Sequence, residues 1–254
     1  MMWEFLQTVF VLPAAEAQER MQIALTKQDY PPFILYNQPT GGLLTDVVRE
    51  SYKLAQVDVR FIEVPNNRAI TGVMQGFYDG SYGWGHSAER DIKLLYSNKP
   101  LYSLHIVFFQ RNDTQFNWNT LADLANARIG TVQGNHYSDE FSALSDKGTL
   151  KTDVAPSDIS NFRKLLMARV DLIPIDVDSG HYLLKNFFSA DERRKLIAQQ
   201  KAISVVPVYL VIRKDLPRAK ELMARFDSGY QQLIDSGQLT RMIEAHKDQL
   251  RIQP

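Results

Sequence analysis

Two successive runs of alternating strand and helix patterns constrain the fold more than any other feature of this chain. In the first run, strands and helices alternate over residues 21–26, 46–54, 57–64, 67–77 and 78–82. This β-α-β-α-β order is typical of a mostly parallel sheet with helices on its faces. The first run therefore predicts an α/β unit.

The second run follows a β-rich stretch at residues 101–109. Strands and helices alternate again over residues 128–132, 138–144, 150–154, 157–168, 170–175 and 178–186. A further β run at residues 203–212 precedes two amphipathic helices, residues 217–234 and 238–246. Two β-α repeats in one chain predict two α/β lobes.

The composition argues against several functional classes. With 44% hydrophobic and 23% charged residues among 254, the chain can bury a large core. Lys plus Arg and Asp plus Glu are each 29, so the zero formal charge disfavours binding of nucleic acid. The absence of Cys excludes disulfides and thiolate chemistry, and the histidines lack metal-binding spacing. We therefore predict neither a metal nor a cofactor.

The N-terminal segment has some features of an export signal. Residues 5–13 are largely apolar, and Ala15-Glu16-Ala17 places small residues at the spacing that signal peptidase reads. We therefore expect residues 1–17 to be a signal peptide and the mature chain to be soluble in the periplasm. No Lys or Arg precedes the apolar run, so a plain disordered N-terminus stays open as the alternative.

The segment of residues 82–90 predicts an irregular loop that can bind a small anion. Gly83 and Gly85 leave backbone groups accessible on either side of Trp84, and Arg90 follows closely. A guanidinium can bind a carboxylate through two parallel hydrogen bonds. The alternative is a surface Arg90 paired with a neighbouring acidic residue, which contributes little to stability. Trp84 either lines the same pocket or packs beneath it.

Five motifs occur in an order that resembles a known family. They are Tyr30-Pro31-Pro32-Phe33, Ser87-Ala88-Glu89-Arg90 before Tyr96-Ser97-Asn98-Lys99-Pro100-Leu101-Tyr102, Gly130-Thr131-Val132-Gln133-Gly134, Arg169-Val170-Asp171 leading to Asp176, and Tyr209-Leu210-Val211-Ile212-Arg213-Lys214-Asp215. In this order the chain resembles the extracellular solute-binding proteins, family 3, of the polar amino-acid uptake type. The resemblance spans about residues 21 to 250.

This resemblance implies a type II periplasmic binding protein fold. In that α/β fold, two Rossmann-like lobes are joined by two crossing hinge strands, and the ligand lies in the cleft between the lobes. For this chain, the family implies a first lobe of residues 18–105 and 207–254 and a second lobe of residues 106–206.

The resemblance also assigns the two ends of the ligand to opposite lobes. Arg90 would hold the ligand carboxylate and Asp176 its α-amino group, while helix capping is the alternative role for Asp176. Tyr30 would stack its ring on the ligand. Phe33, on the same loop, would either join this contact or belong to the core.

The remaining candidates are small or polar residues. Gly83 and Gly85 would contact the carboxylate end through their backbone. Asn135 and His136 follow a glycine turn at a helix start, where free amides favour an anion. Asn66, with Asn67 and Arg68, stands where relatives line the pocket, although a capped helix start explains Asn67 and Arg68 just as well.

We therefore expect a periplasmic solute-binding protein that captures a small polar solute, an amino acid or a derivative, by hinge closure. Its partners would be an ABC permease or a membrane sensor, and we expect it to act as a monomer without enzymatic activity. The alternative is an enzyme on the same fold, similar to cyclohexadienyl dehydratase, with His136 or Asp176 as general acid or base.

Overall fold

The computed structural model describes residues 20–36, 41–133 and 135–250, and of residues 66 and 67 it describes the backbone only. The predicted signal peptide, residues 1–17, lies outside these ranges. None of the helices in these ranges combines the length and apolar character needed to cross a bilayer.

Strands and helices alternate along most of the described chain. The strands are β1 (Met21–Lys27), β2 (Val57–Glu63), β3 (Gly80–Trp84), β4 (Leu94–Tyr96), β5 (Tyr102–Arg111), β6 (Arg128–Val132), β7 (Lys151–Ala155), β8 (Leu172–Asp176) and β9 (Leu196–Arg213). The α-helices are α1 (Leu43–Leu54), α2 (Asn66–Met74), α3 (Ala88–Lys93), α4 (Asp139–Asp146), α5 (Asp158–Leu166), α6 (Val177–Phe187), α7 (Ala190–Arg193), α8 (Ala219–Asp235) and α9 (Gln238–Leu250). Both predicted β-α repeats are confirmed.

The strands form a continuous mixed sheet in the order β2-β1-β3-β9-β5-β8-β6-β7, and β4 also pairs with β9. β1 is parallel to β2 and β3, and β6 is parallel to β7 and β8. β9 is antiparallel to its partners: residues 196–208 pair with β5, and residues 209–213 pair with β3 and β4. Strands β5 and β9 thus connect two α/β lobes, as predicted.

The main hydrophobic core continues through both lobes. Tyr82 on β3 and Phe108 on β5 are fully buried in one contiguous cluster. In the first lobe, α1 packs closely against α8, because Gly229 presents no side chain to the Ser51 carbonyl; a Cβ there would lie only 1.9 Å from that oxygen. This packing fixes the strands whose ends carry the candidate site.

The segment predicted as an irregular loop is more regular than expected. β3 continues to Trp84, and α3 begins at Ala88. Ser87 caps α3, since its Oγ accepts a hydrogen bond from the backbone N–H of Arg90 at 3.3 Å. Gly83 adopts φ 83° where the β3–β9 pairing shifts register, so the chain accommodates it as a strand irregularity rather than as a loop.

Candidate functional site

A cleft of about 620 Å³ lies between the two lobes, and we call it the interlobe cleft. Its described lining is Gln28, Tyr30, Ile70, Thr71, Gly83, Trp84, Leu104, Val132, Gln133, Asn135 and Pro156. None of these side chains is of an acidic or basic type, so the described wall is polar and aromatic. In the described ranges, no three His, Cys, Asp or Glu side chains are grouped to hold a metal ion.

Gly83 and Trp84 form the β3 wall of the interlobe cleft. A Cβ added to Gly83 would lie 3.5 Å from Gln28 Nε2 and 3.3 Å from Ile34 Cδ1. A side chain at this position would therefore contact Gln28 and Ile34. The Trp84 indole N–H donates to Ser81 Oγ at 2.8 Å. This bond fixes the orientation of the ring that lines the interlobe cleft.

Arg90 lies next to Trp84, half-buried but outside the described lining of the interlobe cleft. Its Nη1 donates to the Gly85 carbonyl at 2.7 Å, and the guanidinium carbon lies 5.2 Å from the centre of the Trp84 ring. Both contacts hold the guanidinium against the cleft wall. Asp91, one candidate for the alternative ion pair, instead places its Oδ1 2.8 Å from His86 Nδ1.

Tyr30 and Phe33 have different environments although they share a loop. Tyr30 lines the interlobe cleft, and burial, together with the nearby Asp176 charge, raises the pKa of its hydroxyl, which therefore stays protonated. Phe33 is 0% exposed, and its ring centre lies 5.0 Å from that of Tyr102 and 5.5 Å from that of His246. Phe33 therefore has the core role that was left open as its alternative, because other rings enclose its side chain.

Asp176 ends β8 and caps α6 instead of lining the interlobe cleft. Its Oδ1 accepts from the backbone N–H of Ser179 at 3.0 Å, and its Oδ2 accepts from that of His105 at 2.9 Å. The residue is 1% exposed, and burial raises the pKa of its carboxyl to about 6. Asp176 thus has the capping role that was its alternative, and each carboxylate oxygen accepts one backbone N–H. Its contact with a ligand amino group stays a prediction.

The other predicted residues also have separate positions. Asn135 lines the interlobe cleft, whereas His136 is exposed beside α4 and is not part of the described lining. Gly85 supplies its carbonyl to Arg90. Asn66 begins α2, and its side chain lies outside the described part of the structure. The predicted residues that the cleft brings together are Tyr30, Gly83, Trp84 and Asn135.

Gln28 is a cleft residue that the sequence analysis missed. It is 5% exposed, and its Nε2 donates to the Tyr82 carbonyl at 3.3 Å. Its Oε1 is buried and has no hydrogen-bond partner among the described residues. The available signal was a polar residue directly after the buried strand β1 and two positions before Tyr30.

Asp158 is a second residue that the sequence analysis missed. It begins α5, two positions after Pro156 of the cleft wall. Burial raises the pKa of its carboxyl to about 6. Burial also raises the pKa of the Tyr30 and Tyr137 hydroxyls, and the Asp158 charge adds a smaller increase to both. Its sequence context, Ser157 before a helical pattern, indicates only the start of a helix.

The lobes also touch at a second place, which we call the interlobe seam. Ser179 Oγ on α6 donates to the Pro31 carbonyl at 3.1 Å. The Tyr102 hydroxyl on β5 donates to Asp178 Oδ2 at 2.6 Å. These polar groups of the interlobe seam are therefore satisfied by each other.

The chain matches one family model and many solved structures. The model of bacterial extracellular solute-binding proteins, family 3, matches residues 23–249. No curated protein sequence matches the chain. The probable amino-acid ABC transporter extracellular-binding protein ytmK from Bacillus subtilis is 17% identical, with a TM-score of 0.74, over 88% of this chain and 96% of that chain.

Two further solved structures share the fold. A histidine kinase sensor domain with similarity to periplasmic binding proteins is 17% identical, with a TM-score of 0.70, over 89% of this chain and 95% of that chain. An ancestral amino-acid-binding protein, a precursor of cyclohexadienyl dehydratase, is 19% identical, with a TM-score of 0.66, over 89% of this chain and 93% of that chain.

At these identities, the likeness to solved structures establishes the fold alone. The type II periplasmic binding protein fold predicted from the sequence is thereby confirmed. The family match extends over nearly all of the described residues. The chain belongs to the bacterial extracellular solute-binding proteins, family 3.

Proposed function

We propose that this binding protein captures a small polar solute, an amino acid or a related carboxylate, in the interlobe cleft. The observation that carries the proposal is that both lobes contribute to one cleft: Tyr30, Gly83 and Trp84 come from one side, and Gln133 and Asn135 come from the other. A ligand that touches both walls stabilises the closed arrangement over the open one by its differential affinity for the two.

The proposed hinge lies where β5 and β9 pass between the lobes, with lobe boundaries at residues 105/106 and 206/207. Two features support these boundaries. The β5–β9 pairing shifts register between Ile106 and Val107. β9 exchanges its partner between Val208, which pairs with β5, and Tyr209, which pairs with β3. Irregular pairing is where a sheet bends most easily.

Arg90 is the proposed binding group for a ligand carboxylate. The bond to Gly85 engages Nη1, and a guanidinium carries five N–H donors, so further donors exist for a ligand. Trp84 links Arg90 to the interlobe cleft, because it contacts the guanidinium and lines the cleft. A micromolar complex would correspond to a binding free energy of about −8 kcal/mol.

The proposed biological role is uptake or sensing of this solute outside the cytoplasm. An ABC permease would be the partner for uptake, and a membrane sensor would be the partner for sensing. The similarity to an amino-acid ABC transporter binding protein supports the first role, and the similarity to a sensor domain supports the second. We propose that the protein is exported to the periplasm and acts as a monomer.

A thermal-shift screen tests solute binding directly. The twenty protein L-amino acids and a set of small organic acids are added separately, and the melting temperature is recorded. A ligand at about 100 times its Kd stabilises the folded state by about 2.7 kcal/mol, which raises the melting temperature. Calorimetry on the strongest ligand then gives the Kd. The proposal fails if no solute shifts the melting temperature.

One observation favours an alternative, an enzyme on the same fold. Asp158 begins α5 two positions after Pro156 of the cleft wall, and burial raises the pKa of its carboxyl to about 6. General acid–base catalysis uses a group whose pKa lies near the working pH. Incubation with cyclohexadienyl carboxylates, followed by product detection, decides between the two functions. Steady product formation that is lost in Asp158→Asn would establish the enzyme.

A further inference from the structure

The Gln28 side chain offers one hydrogen-bonding atom that the protein does not use. The Tyr82 carbonyl can only accept a hydrogen bond, so the amide nitrogen of Gln28 must be the atom that faces it at 3.3 Å. This fixes the orientation of the amide. The remaining atom, Oε1, is a buried acceptor without a partner among the described residues.

Such an acceptor is unfavourable in a folded chain unless it has a use. A buried polar atom without a hydrogen bond loses its hydration, and no protein hydrogen bond compensates for that cost. Gln28 also lines the interlobe cleft, as do Tyr30, Gly83 and Trp84. The missing side chain of Gly83 leaves space beside the amide, since even a Cβ there would lie 3.5 Å from Gln28 Nε2.

We propose that Gln28 is a specificity-determining residue whose Oε1 accepts a hydrogen bond from an N–H or O–H group of the bound solute. This inference rests on the proposed solute-binding function and adds a ligand class to it. The solute must present a donor to the first-lobe wall. A cleft built around a buried acceptor discriminates strongly against an analogue of the same shape that lacks the donor.

A purely structural role for Gln28 gives different expectations. If its purpose were to satisfy the Tyr82 carbonyl, an apolar substitution would lower stability and leave ligand affinity unchanged. If Oε1 instead binds a solute, Gln28→Met removes the unpartnered buried acceptor together with the bond to the Tyr82 carbonyl. These two effects on stability oppose each other, so the melting temperature of the free protein should change little. Binding is then weakened by about tenfold or more, because the solute donor loses its acceptor.

The experiment measures melting temperature and calorimetric affinity for wild type, Gln28→Met and the exposed control Gln75→Met, with each of the twenty protein L-amino acids as probe. The expected result is a loss of about tenfold or more in affinity for Gln28→Met alone, with little change in the stability of the free protein. Unchanged affinity, or weaker affinity accompanied by an equally destabilised free protein, overturns the inference and leaves the proposed function intact. Absence of binding to wild type overturns the proposed function and this inference with it.

Discussion

The interlobe seam and the interlobe cleft differ in how their polar groups are satisfied. In the interlobe seam, Ser179 bonds to Pro31 and Tyr102 bonds to Asp178, so donors and acceptors of opposite lobes complete each other. In the interlobe cleft, Gln28 Oε1 has no partner among the described residues. The difference indicates that the seam stabilises contact between the lobes, whereas the cleft has hydrogen-bonding capacity left for a solute.

The charged side chains of Asp176 and Arg90 lie outside the described lining of the interlobe cleft. The buried Asp176 serves the fold of the second lobe, while the described cleft wall carries amides, hydroxyls and rings. Arg90 differs from both, because its Nη1 makes a structural bond to the Gly85 carbonyl and its other N–H donors are the ones proposed to bind a ligand. Substitutions in the two places should therefore have different effects on ligand affinity and on stability.

The largest effect is expected for Arg90→Ala, which removes the proposed carboxylate-binding group. Loss of a charged, partly desolvated partner weakens binding by about 3 kcal/mol, or more than about 100-fold in Kd. Calorimetry with the strongest amino-acid ligand measures the effect, and the exposed Arg241→Ala serves as control. An unchanged Kd would show that the ligand-binding role of the cleft does not extend to Arg90.

A pH-dependent effect is expected from Asp176. Its folded pKa of about 6 lies above the ordinary value of 3.8, so the folded state holds the proton more tightly than the unfolded state. The contribution of this group to unfolding free energy is greatest below about pH 4, falls as pH rises to about 6, and is constant above that. The total change is on the order of 2 to 3 kcal/mol.

Chemical denaturation of wild type and Asp176→Asn between pH 4 and 7 measures this change. Asparagine does not titrate, so wild type should lose stability relative to the variant as pH rises through this window. If the difference in unfolding free energy between the two proteins stayed constant from pH 4 to 7, burial would not raise the pKa of the Asp176 carboxyl. Loss of the bond to His105 adds a pH-independent offset and does not alter the slope.

Gly83→Ala is expected to have a smaller effect of about 1 to 2 kcal/mol on unfolding free energy. The φ of 83° disfavours any side chain, and the new Cβ would press on Ile34 at 3.3 Å. Gly85→Ala is the matched control, because its Cβ would meet its neighbours at ordinary distances of 3.5 Å. Thermal unfolding of both variants checks the prediction, and equal losses would contradict it.

The smallest effect is expected for Ser179→Ala in the interlobe seam. It removes one neutral hydrogen bond, that to the Pro31 carbonyl, and should change the free energy of closure by about 1 kcal/mol. Affinities for all ligands should therefore shift by a similar small factor, while their ranking is retained. A changed ranking in the amino-acid screen would place Ser179 in ligand recognition.

The fold was predictable because its signals are long and repeated. Strands buried on both faces, such as β8, give continuous apolar runs, and the helices between them keep a regular apolar spacing. Helix α3 was missed because six residues are too few for such a pattern, and its start depends on Ser87 alone. Local polar signals of this kind are shared by loops and helix caps.

The candidate site was predictable only in part, for a related reason. A carboxylate at the end of a strand suits both a ligand and a helix cap, and Asp176 forms the cap because α6 starts immediately after β8. An aromatic residue after Pro32 suits both a cleft and a core, and Phe33 belongs to the core. Gln28 became visible only when its burial and its hydrogen bonds were known.

The continuous strand β9 has a consequence for how the chain tolerates changes in length. This strand has 18 residues, and residues 196–198, 202 and 204–213 each have a register partner on β3, β4 or β5. Near the crossing, Pro207 pairs with Ser103 although it has no N–H to donate. An insertion or deletion there would turn each following side chain to the opposite face of the sheet. Insertions in the loops between helices leave strand pairing unchanged. An insertion or deletion in β9 would instead break its pairing with β3 and β4 in the first lobe.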